Sequence, residues 1–200
     1  MTHHILGRMR EYSCLVLPDW KVLEEELIAQ LLEYVRSGGG LICAGPHVAK
    51  LFLRELKVEI GETSEEKPVY IEQDGTLGSA LSEYAEAQPT GSEDIAGFYL
   101  QNNRIGRRLT AATVVSCGAG RIAGIYLNNR SSYTEAYTVE QRKLYRSAVL
   151  AVCTPKLTLS GPPCVDASLM QKDGQMLINL LNTSGPHANK NLRNFDYIPP

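Results

Sequence analysis

Residues 13–18, Ser-Cys-Leu-Val-Leu-Pro, form an apolar run closed by proline. It reads as a strand buried on both faces. Downstream, Leu23, Leu27, Leu31 and Val35 recur every four residues with Ile28 and Leu32 beside them, while Glu24, Glu25, Glu26, Gln30 and Glu33 occupy the other positions. That period predicts an amphipathic helix over 23–36, and the acids of its first turn complement the positive end of the helix dipole. Ser37-Gly38-Gly39-Gly40 stops the helix, because glycine adopts a left-handed cap without a Cβ penalty, and Leu41-Ile42-Cys43-Ala44 follows as a second buried strand. Strand, helix, glycine stop and strand make a βαβ unit, so the two strands are expected to run parallel with a right-handed crossover.

Beyond Gly45-Pro46 a short helix is expected from His47 to about Leu56, with Val48, Leu51, Phe52 and Leu56 on one face. The pattern then weakens. Over 58–93, Glu62, Glu65 and Glu66 mark a loop, Val69-Tyr70-Ile71 a short strand and residues 88–92 another loop. A strand-like run covers 97–100. Residues 111–116 and 121–127 flank Cys117-Gly118-Ala119-Gly120 and predict a hairpin. Thr138-Val139-Glu140-Gln141 has the form of a capping box, opening a helix to about Val152 that Pro155 ends. Strands are expected at 156–159, 165–170 and 175–181, the last two joined around Lys172-Asp173-Gly174, and the tail from Thr183 to Pro200 carries no expected element. The domain expectation is therefore an α/β domain over 1–155 and, over 156–200, the start of a β-sandwich-like domain that is cut off.

Composition narrows the function classes. The 200 residues carry Lys+Arg 20 against Asp+Glu 22, a formal charge of −2, so no strong field draws in a nucleic-acid backbone or an anionic membrane. The hydrophobic share of 44% is enough for a sizeable core. No apolar run approaches the ~18 residues of a membrane span, and residues 1–10 lack the apolar stretch of a secretory signal, so a cytoplasmic location is expected. The five cysteines, Cys14, Cys43, Cys117, Cys153 and Cys164, are widely spaced without a C-x-x-C pair, which argues for reduced, mostly buried thiols rather than disulfides or a zinc ribbon.

Residues 12–45, with Glu-Tyr-Ser-Cys-Leu-Val-Leu-Pro-Asp at positions 11–19 and the phrase Tyr34-Val35-Arg36-Ser37-Gly38-Gly39, resemble the class I glutamine-amidotransferase-like domain known as the β-galactosidase trimerisation domain. The hairpin residues 119–126 and the helix after Thr138 look like the closing portion of that module, and 165–187 like the start of the β-sandwich that follows it in multidomain glycosidases. The resemblance covers roughly residues 10–155. It implies a flavodoxin-like or amidotransferase-like parallel sheet flanked by helices, and a non-catalytic role in packing or oligomerisation. Its implied partners are other domains or subunits of a glycoside hydrolase, or further copies of the chain. Such a domain opens with another strand and helix before Tyr12, so a fragment of a longer polypeptide, with a catalytic barrel N-terminal to Met1, is expected.

One residue invites an enzymatic alternative. Cys43 ends the second strand, Gly45 follows two places on and a helix begins at His47, which matches the topological position of the amidotransferase nucleophile. Against it, Leu41 stands where the G-x-C-x-G elbow has glycine, and Pro46 withdraws a backbone donor. A thiolate relay also needs a base and an orienting carboxylate, as in H-x-E. His3 and His4 lie in the tail, His47 adjoins Cys43, His187 lies in the second segment, and none is followed two places on by an acid.

The remaining clusters read as ordinary surface or packing. Glu24-Glu25-Glu26 and Glu65-Glu66 are solvated carboxylates with nothing to hold a pair at the separation glycosidases need. Arg104, Arg107 and Arg108 read as a solvated loop, and Gly38-Gly39-Gly40 lies at the wrong end of a helix dipole for phosphate. Tyr126, Tyr133, Tyr137 and Trp20 form the only candidate sugar-stacking set, which keeps a carbohydrate-binding module as a further alternative. No cofactor or metal site is expected.

Overall fold

The computed structural model describes residues 6–128, 139–161, 164–182, 186–189 and 192–195. Its contacts divide the chain into two units, Met1–Thr154 and Pro155–Pro200.

In the first unit a 3₁₀ helix (Leu6–Glu11) precedes β1 (Cys14–Pro18), α1 (Glu25–Arg36) and β2 (Gly40–Ala44). β1 and β2 are parallel, with Cys14 opposite Gly40 and Pro18 opposite Ala44. The helix buries Leu31, Leu32, Tyr34 and Val35 and ends as its glycines require, with the Ser37 N–H donating to Glu33 O at 3.0 Å and the Gly39 N–H to Tyr34 O at 3.1 Å. The expected helix at 47–56 is two short pieces, α2 (Pro46–Lys50) and α3 (Leu53–Leu56), separated by a turn at Leu51 and Phe52.

Residues 58–99 depart most from expectation. In place of loops and one short strand over 58–93 they form β3 (Val58–Thr63), β4 (Lys67–Gln73) and β5 (Thr76–Pro89), and the strand-like run expected at 97–100 belongs to the longer β6 (Glu93–Tyr99). The expected hairpin is β7 (Leu109–Cys117) and β8 (Gly120–Ile125), followed by the two-residue β9 (Leu127–Asn128). The helix expected at 138–152 is α4 (Val139–Val152), while its capping residue Thr138 lies outside the described residues.

One nine-stranded sheet results, in the order β1-β2-β8-β7-β6-β4-β5-β3, with β9 paired to β5. Only β1–β2 and β2–β8 are parallel pairs, and every other pairing is antiparallel. The sheet is thus mixed, and the expectation of a parallel sheet holds for its β1–β2–β8 end alone. β5 is long enough to change partners along its length. It pairs with β4 up to Ser82, with β9 at Glu83 and Tyr84, and with β3 from Ala85 to Pro89.

Strand alternation distributes the core over both faces of the sheet. Leu15, Leu17, Leu41, Cys43 and Ile122 pack with Leu31 and Val35 of α1 and with Val48, Phe52 and Leu56, whereas Ile42, Ala123, Ile125, Val69, Ile71 and Phe98 pack with Leu144, Ala148 and Val152 of α4. β1 is not buried on both faces as its sequence suggests. It ends the sheet, and Val16 between Leu15 and Leu17 is exposed.

The second unit holds two hairpins, β10 (Val165–Lys172) with β11 (Gln175–Asn182), and β12 (Pro186–Asn189) with β13 (Leu192–Phe195). Residues 156–159, expected as a strand, are irregular, and the tail expected to lack elements contains β12 and β13. No helix among the described residues is long and apolar enough to cross a membrane.

Candidate functional site at the carboxyl edge of the parallel strands

Open α/β sheets place ligands beyond the carboxyl ends of their parallel strands, where successive loops converge. Here those ends deliver Asp19 after β1, Gly45-Pro46-His47 after β2, and Leu127-Asn128 just past β8. The partner switch in β5 brings Glu83 opposite Asn128 at the same edge.

Asp19 is the hub. Its Oδ1 accepts the backbone N–H of His47 at 2.7 Å and that of Val48 at 3.0 Å, and its Oδ2 lies 2.8 Å from His47 Nδ1. The Asp19 side chain retains 4% of its exposure and that of His47 20%. A carboxylate this buried is tolerated because each oxygen has a hydrogen-bond partner. Gly45 makes the approach possible. Its φ of +136° favours glycine, and a Cβ there would stand 2.3 Å from Asp19 Cγ.

Glu83 completes the cluster. One ligand atom from each of Asp19, His47 and Glu83 lies within 4.8 Å of the others, and Asn128 Nδ2 donates to Glu83 Oε2 at 2.8 Å. Among the described residues no lysine or arginine forms an ion pair with either carboxylate.

Cys43 lies near this edge in sequence but points into the core. It is fully buried among the residues that pack under α1, α2 and α3, and burial, with a smaller contribution from Glu55, pushes its thiol pKa well above the ordinary value. A neutral thiol with no solvent access is a weak nucleophile. The described hydrogen bonds of the His47 side chain go to Asp19.

The other clusters singled out in the sequence are also accounted for. Arg104 and Arg108 both bond Glu72, Arg108 and Thr110 bond Asp94, and Arg107 pairs with Glu86, so the basic cluster is neutralised by acids of β4, β5 and β6. Tyr126 is fully buried with its hydroxyl bonded to Thr113, and Trp20 is half-buried; Tyr133 and Tyr137 lie outside the described residues, as do His3 and His4. Sequence reasoning missed Asp19 and Glu83 and weighed His47 only as a helix start and as a base for Cys43. The available signal was positional, an acid and a histidine directly after two adjacent parallel strands.

No family model and no curated protein matches the sequence. Solved structures do match in fold. A GH42 β-galactosidase from G. stearothermophilus superposes with a TM-score of 0.58 at 16% identity, over 87% of this chain and 26% of that one. A β-galactosidase from Bacillus circulans sp. alkalophilus gives 0.55 at 13%, over 88% and 28%. A protein described as ThuA-like from Bacteroides uniformis gives 0.55 at 14%, over 72% and 70%. At these identities the likeness concerns the fold, and the chain spans about a quarter of the β-galactosidase chains it matches.

Proposed function

We propose that this chain is a non-catalytic packing module of a multidomain glycoside hydrolase of the β-galactosidase kind, serving contacts between domains or subunits. The observation that carries this reading is the coverage: 87% of the chain follows the fold of a 26% portion of a GH42 β-galactosidase chain. The state of Cys43 supports it further, since a thiol buried in the core removes the one nucleophile the sequence offered. The arginine cluster is paired with acids and Tyr126 is buried, which takes these two candidates away.

The test is turnover of an aryl β-galactoside by the isolated chain. No hydrolysis above the buffer rate is expected. Hydrolysis that a single carboxylate substitution in this chain abolishes would overturn the reading.

A further inference from the structure

We propose that Asp19, His47 and Glu83 form a binding site for one divalent transition-metal ion, which ties together the carboxyl ends of β1 and β2 and the bend of β5. This goes beyond the packing role and does not depend on it.

The donor set is one imidazole nitrogen and two carboxylate oxygens, which suits zinc and, less tightly, manganese. The spacing fits a shared ion. Asp19 Oδ2 and His47 Nδ1, hydrogen-bonded at 2.8 Å, need to part by only about 0.6 Å to reach the ~3.4 Å between ligand atoms that each lie about 2.1 Å from a tetrahedral metal. One oxygen of the half-buried Glu83 carboxylate stands within 4.8 Å of a ligand atom of each of the other two residues, so a side-chain movement of Glu83 closes the third corner.

The surroundings are built to hold these groups. Asp19 Oδ1 is fixed by two backbone amides, leaving Oδ2 to face His47, and Asn128 holds the Glu83 carboxylate through Oε2. Such outer partners are what align metal ligands. Gly45 leaves room for the Asp19 carboxylate where any Cβ would collide with it.

Charge supplies the independent reason. Two half-buried carboxylates converge at this edge of the sheet, where no described lysine or arginine pairs with them, and like charges this close repel. A dication with a neutral imidazole balances them.

The experiment is isothermal titration of the full chain, stripped with a chelator and carrying His3→Ala and His4→Ala to remove the tail histidines, with Zn²⁺ and separately Mn²⁺. Unfolding temperatures are followed in parallel. One Zn²⁺ per chain is expected, with a rise in Tm and weaker binding of Mn²⁺. Glu83→Gln and His47→Gln, each first checked for an unchanged far-UV spectrum, are expected to weaken zinc at least ~10-fold. Two results would overturn the proposal: no stoichiometric zinc binding, or zinc binding that survives both substitutions, which would place the ion on cysteine thiols. Neither result bears on glycoside turnover, so this site and the packing role fail separately.

Discussion

Asp19 and His47 are joined twice: the carboxylate accepts the His47 backbone N–H at 2.7 Å, and its other oxygen lies 2.8 Å from the His47 ring. A single side chain after β1 therefore caps the first turn of α2 after β2 and orients His47 within that turn. The two adjacent parallel strands are locked at their carboxyl ends as well as along their ladder.

Removing that lock should be costly. Asp19→Ala leaves two backbone amides and an imidazole without their acceptor, and a loss of about 2–3 kcal/mol is expected. Asp19→Asn keeps an acceptor oxygen and should lose about half as much. Urea unfolding midpoints at unchanged slope read both effects.

The βαβ unit was legible because its signals are local: leucines every four residues, then a glycine stop, then a short apolar strand. The antiparallel half was not. β5 reads Thr-Leu-Gly-Ser-Ala-Leu-Ser-Glu-Tyr-Ala-Glu-Ala-Gln-Pro, and its buried positions include Ala80, Ser82 and Ala85, whose small or polar side chains give hydropathy no alternation to follow. These residues form a strand because long-range pairing with β4, β9 and β3 overrides weak local preference. The site divides in the same way. Asp19 and His47 follow from the β1–β2 register, whereas Glu83 depends on the partner switch in β5, which has no local mark.

Gly120 offers a sharper test of close packing between the α1 cap and β8. A Cβ at this position would stand 2.2 Å from the carbonyl oxygens of both Val35 and Gly39, which are backbone atoms. Gly120→Ala should therefore destabilise the first unit by about 2–3 kcal/mol, read from thermal unfolding. Gly7→Ala, where nothing lies within 4 Å, serves as the neutral control.

Thiol reactivity separates the cysteines. Cys43 is fully buried and its thiol is held protonated by desolvation, while Cys117 is partly exposed. Iodoacetamide at neutral pH should modify Cys117 in the native chain and leave Cys43 intact until denaturant is added. Mass spectrometry of the digested chain reads the order.

Alkaline stability follows from the same burial. The Cys14 thiol is pushed up to about 12, first by desolvation and then by the neighbouring Cys153, and burial also raises Tyr126. Each group binds its proton more tightly folded than unfolded, so its contribution is complete below that group's unfolded value and is lost as pH rises toward the folded one. Tm should fall between about pH 9 and pH 12, and Cys14→Ala should lessen the decline.

The packing role is tested most directly by the β10–β11 hairpin. Ala167 faces Leu180 and Leu169 faces Ile178 across the ladder, and Ile178 and Leu180 remain 53% and 59% exposed, an apolar strip of the kind that associating surfaces present. Sedimentation equilibrium of the purified chain across a range of concentrations is the decisive measurement. Reversible self-association is expected, abolished by Ile178→Lys with Leu180→Lys while the far-UV spectrum and Tm of the chain stay unchanged. A chain that remains monomeric throughout, or association indifferent to those two lysines, would contradict a packing function seated on this hairpin.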